Sequence, residues 1–313
     1  MNKKYVIKRN IGITESPECL KKGLATHTIN TGLLCGQGCK YCSTPSAVFR
    51  HKFFKEVGQE AFELFDKGVA VIDPWTPIRI KKTGHKLGKD TIVLFSTLTD
   101  PYAHEASEID LGRRCIEAVL STTESKIRII TKNVSILKDL ELLQTHTDRI
   151  SVGFSLTAPP EKENLIKILE PNSSSISERL TAWKAIHDAG IETFGVISPC
   201  LPGILTAPED FNSILDAILP FKPTAVWVEP LTIKGNNLRR CSKEIKENGN
   251  QELSWLFDLL HEKKTFNEYI ETLISTTTSC ARQHQYLDKI KIIVNSDGDG
   301  FAVDDTAVIW LKR

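Results

Sequence analysis

Short apolar runs alternate with helix-period segments from residue 27 to residue 262, and this alternation limits the fold more than any other feature of the chain. Residues 27–34, 91–98, 126–131, 149–156, 192–198 and 224–229 read as strands. Residues 54–65, 107–120, 134–143, 177–189, 208–219 and 251–262 read as the helices that follow them. In the second helix, Leu111, Cys115, Ala118 and Val119 fall at helical spacing, with Ser107 as the expected N-cap. In the fourth, Leu180, Trp183 and Ile186 form an apolar face that stops at Gly190. Six β-then-α units imply a parallel sheet, because a parallel neighbour is reached only through a crossover. Runs such as IVLF and AVWV read as strands buried on both faces. The expected fold class is α/β: a partial (β/α)6 barrel of the TIM type with a small C-terminal β extension. Functional groups are then expected at the carboxyl ends of the strands.

Two stretches interrupt the pattern. Residues 66–90 read as a long insertion with a basic end (Arg79, Lys81, Lys82, Lys86 and Lys89). A solvated loop is the expected form, with a phosphate-contacting loop or a lid as the alternative. The tail from Lys289 reads as two strands around NSDGDG, hence a β-hairpin. Asn295, Asp297, Asp299 and Gly300 match the start of an EF-hand loop, but Thr306 stands where the closing Glu belongs, so an Asp-Gly turn is expected. The organisation expected is an N-terminal segment at 1–27, the barrel at 28–263 and the extension at 264–313.

The 313 residues suffice for one barrel-type domain, and 41% hydrophobic with 25% charged residues is ordinary for a globular protein. No apolar run approaches the roughly 18 residues of a membrane span. The start, MNKKYVIKRN, lacks the apolar stretch of a secretory signal, so the expected location is the cytoplasm. A net charge of +1 gives no general basic surface for nucleic acid, though it leaves room for a local groove.

Of eight cysteines, three are clustered in LLCGQGCKYCSTP. In a long chain of a reducing compartment, such a cluster reads as metal ligation rather than a disulfide framework. Cys35, Cys39 and Cys42 directly follow the first expected strand. Closely spaced thiolates on one loop can ligate separate irons of a [4Fe-4S] cube, and three of them leave one iron open. Gly36 and Gly38 let the loop curl. Zinc is the alternative, although its sites more often show paired C-x2-C units with four ligands.

The C-x3-C-x-aromatic-C pattern, with Tyr41 as the aromatic, resembles the radical S-adenosylmethionine (SAM) superfamily. Across residues 28–235, STLTDPY, IITKN, ISVGFSLT, LEP, ERLTAWKAIHDAGI, ISPCLPG and WVEPL are similar to the spore photoproduct lyase family. The resemblance implies that SAM binds the open iron. It is then reductively cleaved to a 5′-deoxyadenosyl radical, which takes hydrogen from substrate. It further implies SAM contacts at Lys132 (carboxylate), Ser155, Tyr41 (beside adenine) and the segment around Pro199. Thr97 and Thr99 are candidates for the SAM amino group, and Asp100, Tyr102 and Glu229 for substrate. Cys200 reads as packing, or alternatively as a radical relay. The implied partners are an electron donor such as flavodoxin or ferredoxin and a nucleic-acid substrate.

The sequence departs from the family in one consequential place. The family's hydrogen-donating cysteine lies just after its second strand, and aligning the aspartates puts Thr97 there. A threonine O–H is a poor hydrogen-atom donor, so the repair reaction should not run in the same way. The Gly-Gly-Glu-like segment of many radical SAM enzymes is also absent. Radical modification of a peptide or small metabolite is the second reading. A non-catalytic zinc or iron–sulfur scaffold is the third.

Overall fold

The computed structural model describes residues 4–95, 97–304 and 306–312. Its strands are β1 Lys4–Val6, β2 Thr14–Glu15, β3 His27–Ile29, β4 Gly32–Leu34, β5 Ala70–Ile72, β6 Ile92–Phe95, β7 Lys126–Thr131, β8 Ile150–Leu156, β9 Glu192–Cys200, β10 Val226–Pro230, β11 Ile290–Val294 and β12 Val308–Trp310. The main sheet has nine strands in the order β12-β11-β10-β9-β8-β7-β6-β3-β2. From β3 to β12 every neighbour is parallel, and β2 closes one edge antiparallel. The expected central parallel sheet is therefore present, with β3 and β6–β10 as the six strands read from the sequence. A second sheet, β1-β5-β4, stands beside it.

Side-chain alternation along the strands splits the core in two. Val93, Phe95, Ile127, Ile129, Val152, Phe154, Val226 and Val228 join the cluster that includes Trp183, Phe211 and Phe257 from the helices. The intervening residues Leu94, Phe194, Val196, Trp227 and Ile293 pack instead against Cys19, Leu24 and Ala25. One face is thus covered by crossover helices and the other by the chain's own N-terminal segment. That segment is pinned by hydrogen bonds: Arg128 donates to Leu24 O at 2.6 Å and Trp227 Nε1 to Lys22 O at 2.9 Å. The Arg128 guanidinium lies 5.2 Å from the Trp227 ring centroid, which accounts for a cation on an otherwise apolar face.

Several sequence expectations are corrected. The single strand at 27–34 is two strands in different sheets. The Asn30 side chain accepts the backbone N–H of Leu98 at 2.7 Å, and Thr31 O accepts Asp73 N–H at 2.7 Å, so the chain swings from one sheet into the other. Residues 66–90 are not a solvated loop or lid. They hold β5 and the helix Thr76–Thr83, whose Ile80 is fully buried with Leu111 and Cys115. The helix at 54–65 breaks at Gly58, which adopts φ +64°. Ser107 is not an N-cap: it ends the short helix His104–Ser107 and donates to Tyr102 O at 3.0 Å, and Leu111–Thr122 starts after it. The C-terminal strands form no hairpin, because β12 pairs parallel to β11 and both extend the main sheet. The 295–300 loop joins two strands rather than two helices, so the EF-hand pattern has no helical frame.

Gly32 marks the closest backbone approach under the cysteine loop. A Cβ there would stand 2.1 Å from Val71 O, beside the register shift between β4 and β5. Because the obstacle is backbone, relief requires moving β5. Gly32→Ala is expected to lose at least about 3 kcal/mol, the upper end for overpacking. A urea midpoint matching wild type would refute this account of the crossing.

Candidate functional site

In the main sheet the parallel strands β3 and β6–β12 point the same way, so their carboxyl ends gather at one edge. Continuing the alternation past Trp227 and Ile293 puts Glu229 and Asn295 on the face of the N-terminal segment, and both line a cavity of about 910 Å³. Thr97, Lys22, Lys234, Phe266 and Phe301 line it too, as does Ser43, the residue after Cys42. Lys22 bridges Glu229 at 3.0 Å and Glu18 at 3.1 Å across the cavity wall.

The cysteine loop leaves β4 at this edge, and most of its carbonyls and several of its N–H groups are held. Gly36 N–H donates to Glu105 at 2.8 Å, and Gly36 O accepts Asn172 Nδ2 at 2.8 Å. Lys40 N–H donates to Leu169 O at 2.8 Å. Tyr41 O accepts Asn237 Nδ2 at 3.1 Å, and Arg240 donates to Lys40 O at 3.0 Å and Cys42 O at 2.6 Å. The three thiols are free. Thr44 N–H points to Cys42 Sγ at 3.4 Å, and the Asp100 N–H hydrogen-bonds Cys35. Burial, then Glu105, pushes the Cys35 thiol well up, and burial with Glu170 pushes Cys39 up to about 12. Unligated, these groups are neutral thiols at pH 7, and ligation must release their protons.

Among the described residues, no three His, Cys, Asp or Glu side chains are gathered to hold a single metal ion. Three thiols on a braced loop, with N–H groups toward two of the sulfurs, fit a cube that takes each thiolate on a separate iron. Their chemistry is that of soft sulfur ligands.

Around Tyr41 lies a buried polar network that the sequence reading missed. Glu170 is 2% exposed and accepts from Tyr41, from Arg179, from Lys132 at 3.0 Å and from Thr157 at 2.6 Å. Burial alone would raise the Glu170 carboxyl, but Arg179 and Lys132 outweigh it and hold the group well below the ordinary range. At Lys132 the balance reverses. Burial outweighs the pull of Glu170, with Arg179 adding like-charge repulsion, and the ammonium falls below its usual value. Two cations thus share one carboxylate, and Lys132 is the more weakly held. The sequence singles out Tyr41 and Lys132 separately and carries Glu170, Thr157 and Arg179 in three other stretches, but nothing in it joins the five.

The remaining expected residues sort by what they touch. Tyr41 is buried, with Lys132 Nζ 5.4 Å from its ring centroid. Thr97 is exposed at the cavity and hydrogen-bonds Asn30 Nδ2 at 2.8 Å; Ser96 beside it lies outside the described residues. Thr99 is buried and spans to Thr31 Oγ1 at 3.2 Å. Ser155 donates to Ser198 O at 3.1 Å, bridging β8 and β9, and Pro199 follows at the end of β9.

Asp100 and Tyr102 are engaged within the protein. Asp100 is buried and accepts from Gln37, Tyr102, Thr131 and Lys132 at 2.7–3.0 Å, which uses its lone pairs to tie the cysteine loop to β7. Tyr102 is 1% exposed and donates to Asp139 at 2.9 Å. Glu229, by contrast, lines the cavity. Cys200 is fully buried with its thiol toward Ile197 O at 3.5 Å, which is packing.

No protein-family model matches the chain. It is 26% identical over 252 residues to an uncharacterized protein of Methanocaldococcus jannaschii, covering 80% of this chain and 86% of that one. An uncharacterized protein of Acidianus two-tailed virus is 25% identical over 215 residues, covering 67% and 68%. Among solved structures, a spore photoproduct lyase variant superposes with a TM-score of 0.60 at 14% identity, covering 92% of this chain and 81% of that one. Another variant, solved with AdoMet and dinucleoside spore photoproduct, superposes at 0.53 and 15% identity, covering 78% of this chain and just under two-thirds (66%) of that one. The chain has the fold of spore photoproduct lyase and resembles the radical SAM superfamily.

Proposed function

We propose that this chain is a radical SAM enzyme in which Cys35, Cys39 and Cys42 hold a [4Fe-4S] cluster. The observation that carries this reading is the braced three-thiol loop at the carboxyl edge, next to a cavity large enough for a small ligand. With cluster and SAM bound, one-electron cleavage of SAM supplies a 5′-deoxyadenosyl radical for hydrogen abstraction.

The chain's own residues then bind and orient. Lys132 is the cation in surplus at Glu170, and a carboxylate from SAM would meet it as a second partner. Tyr41, beside Lys132, with Ser155 and the segment at Pro199 are the proposed further neighbours of SAM, with Thr97 at the cavity wall and Thr99 as a candidate for its amino group. Glu229 and Lys22 face the cavity as an ion pair that can reorganise around a polar substrate. We read the main sheet as a partial barrel whose interior the N-terminal segment fills, which shields a reactive radical from solvent.

The substrate class is nucleic acid by analogy, with a peptide or small metabolite as the second reading. No hydrogen-donating cysteine stands at Thr97, so a repair reaction of the spore photoproduct type would need another donor. A ferredoxin- or flavodoxin-like protein is the proposed reductant. All eight cysteines are free, which suits a reducing cytoplasm. No helix of the described residues is long and apolar enough to cross a membrane.

The test is anaerobic reconstitution followed by iron and sulfide counts, dithionite and SAM. The expected result is about four irons per chain and formation of 5′-deoxyadenosine. Uptake of zinc in place of iron, or an intact reduced cluster that never cleaves SAM, would sink the proposal in favour of a scaffold. Saturable binding of single- or double-stranded DNA then separates the two substrate classes.

A further inference from the structure

The helix Asn237–Glu247 falls between the sixth expected strand and the sixth expected helix, and no reading of the sequence placed a role there. Leu238, Cys241 and Ile245 bury one side of it in the main core. Asn237, Arg240 and Glu244 follow at i, i+3 and i+7, which aligns them along another side. Each reaches the cysteine loop. Asn237 Nδ2 donates to Tyr41 O at 3.1 Å and also to Thr232 O at 2.7 Å. Arg240 spans Lys40 O and Cys42 O, and Glu244 accepts from Lys40 Nζ at 2.6 Å. Three consecutive residues of the loop, two of them flanking Cys42 or being Cys42 itself, are thus gripped from one helix.

Arg240 is the centre of the grip. Its guanidinium stacks over the Phe65 ring at 4.9 Å, its nearest carboxylate is Asp66 at 3.9 Å from Nε, and its buried Nη1 has no hydrogen-bond partner among the described residues. A cation is therefore set beneath the loop with its charge only loosely neutralised. Three thiolates and a cube would form an anionic centre, whose potential is set by net charge, hydrogen bonds and exposure.

Resting on the radical SAM reading, we propose that Arg240, with Asn237, is a positioning residue that fixes the cysteine loop for cluster retention and biases the cluster toward its reduced state. The positive charge favours the extra electron, and the fork of N–H donors holds the carbonyls of Lys40 and Cys42 in one geometry. The two contributions separate by substitution: lysine keeps charge and loses the fork, whereas methionine loses both.

The experiment uses the full chain, reconstituted without oxygen, as wild type, Arg240→Met and Arg240→Lys. It reads iron per chain, the rate of iron loss to a chelator, and the midpoint potential by an electron-paramagnetic-resonance titration. For Arg240→Met we expect faster iron loss and a roughly tenfold lower equilibrium constant for reduction, which is about 59 mV downward for one electron. For Arg240→Lys we expect faster iron loss with the potential near that of wild type. If the methionine variant does not fold, the lysine variant alone decides: wild-type iron retention overturns the clamp. Wild-type potential and retention in Arg240→Met overturn both contributions. A wild-type chain that takes up no cluster would fail the parent reading instead, and it would do so before either variant is compared.

Discussion

A Cys39→Ala chain, reconstituted beside the wild type without oxygen, will hold no stable [4Fe-4S] cluster and will form no 5′-deoxyadenosine above background. Losing an outer partner of a metal ligand costs roughly 10–100-fold, and losing a ligand itself should exceed that. Cys39 is the informative choice because it is the buried member of the three and leans on the rest of the site. Its thiol lies 3.7 Å from Ser173 Oγ, and its surroundings include Glu170 and Lys132. The fold should survive, since removing one small buried sulfur costs on the order of 1 kcal/mol by the scale of methyl-sized deletions. Circular dichroism and a urea midpoint close to wild type would confirm that. Four irons retained by Cys39→Ala would show that another group ligates in its place. Cys241, close enough to Cys39 to feel its charge, would be the first to examine.

The cysteine loop could be read from the sequence because its information is local: three residue types at fixed spacing after a strand. The strands at 92–95 and 226–228 could be read for a similar reason, since IVLF and AVWV are apolar runs that look buried on both faces. What stayed hidden is what depends on distant partners. The split between β3 and β4 is set by Asn30 meeting Leu98 and by Thr31 meeting Asp73, and the polar Asn30-Thr31-Gly32 stretch between the apolar residues names neither distant partner. The run at 69–72 did carry a strand signal, but the surrounding lysines made the stretch look solvated. Glu170 looks like one more charged residue before a proline until four side chains converge on it. Asn237 and Arg240 act through backbone carbonyls, which leave no trace in side-chain pattern.

Glu170→Gln is expected to destabilise the chain by about 3–5 kcal/mol, the usual cost of removing one partner from a buried charge pair. The substitution keeps the shape and removes the charge. Arg179, 1% exposed, would keep its bonds to Ser174 O at 2.8 Å and Ser155 O at 2.9 Å but lose the Glu170 carboxylate, and Lys132 would lose the same partner. The sign with pH follows from the direction of the shift. Glu170 is held well below 4.5, its ordinary value, so the unfolded chain binds the proton first. Its contribution is complete above about pH 4.5 and is lost progressively as pH falls toward the lowered folded value. Urea unfolding of the cluster-free chain at pH 7 and at steps down to about pH 3 should show wild-type stability falling more steeply than that of Glu170→Gln, so that the two curves converge in acid. Parallel curves, or a difference under about 1 kcal/mol at pH 7, would mean that the two cations gain nothing from the charge of Glu170. The network around Tyr41 would then be held by packing and neutral hydrogen bonds, and Lys132 would have no carboxylate from which a bound SAM could draw it.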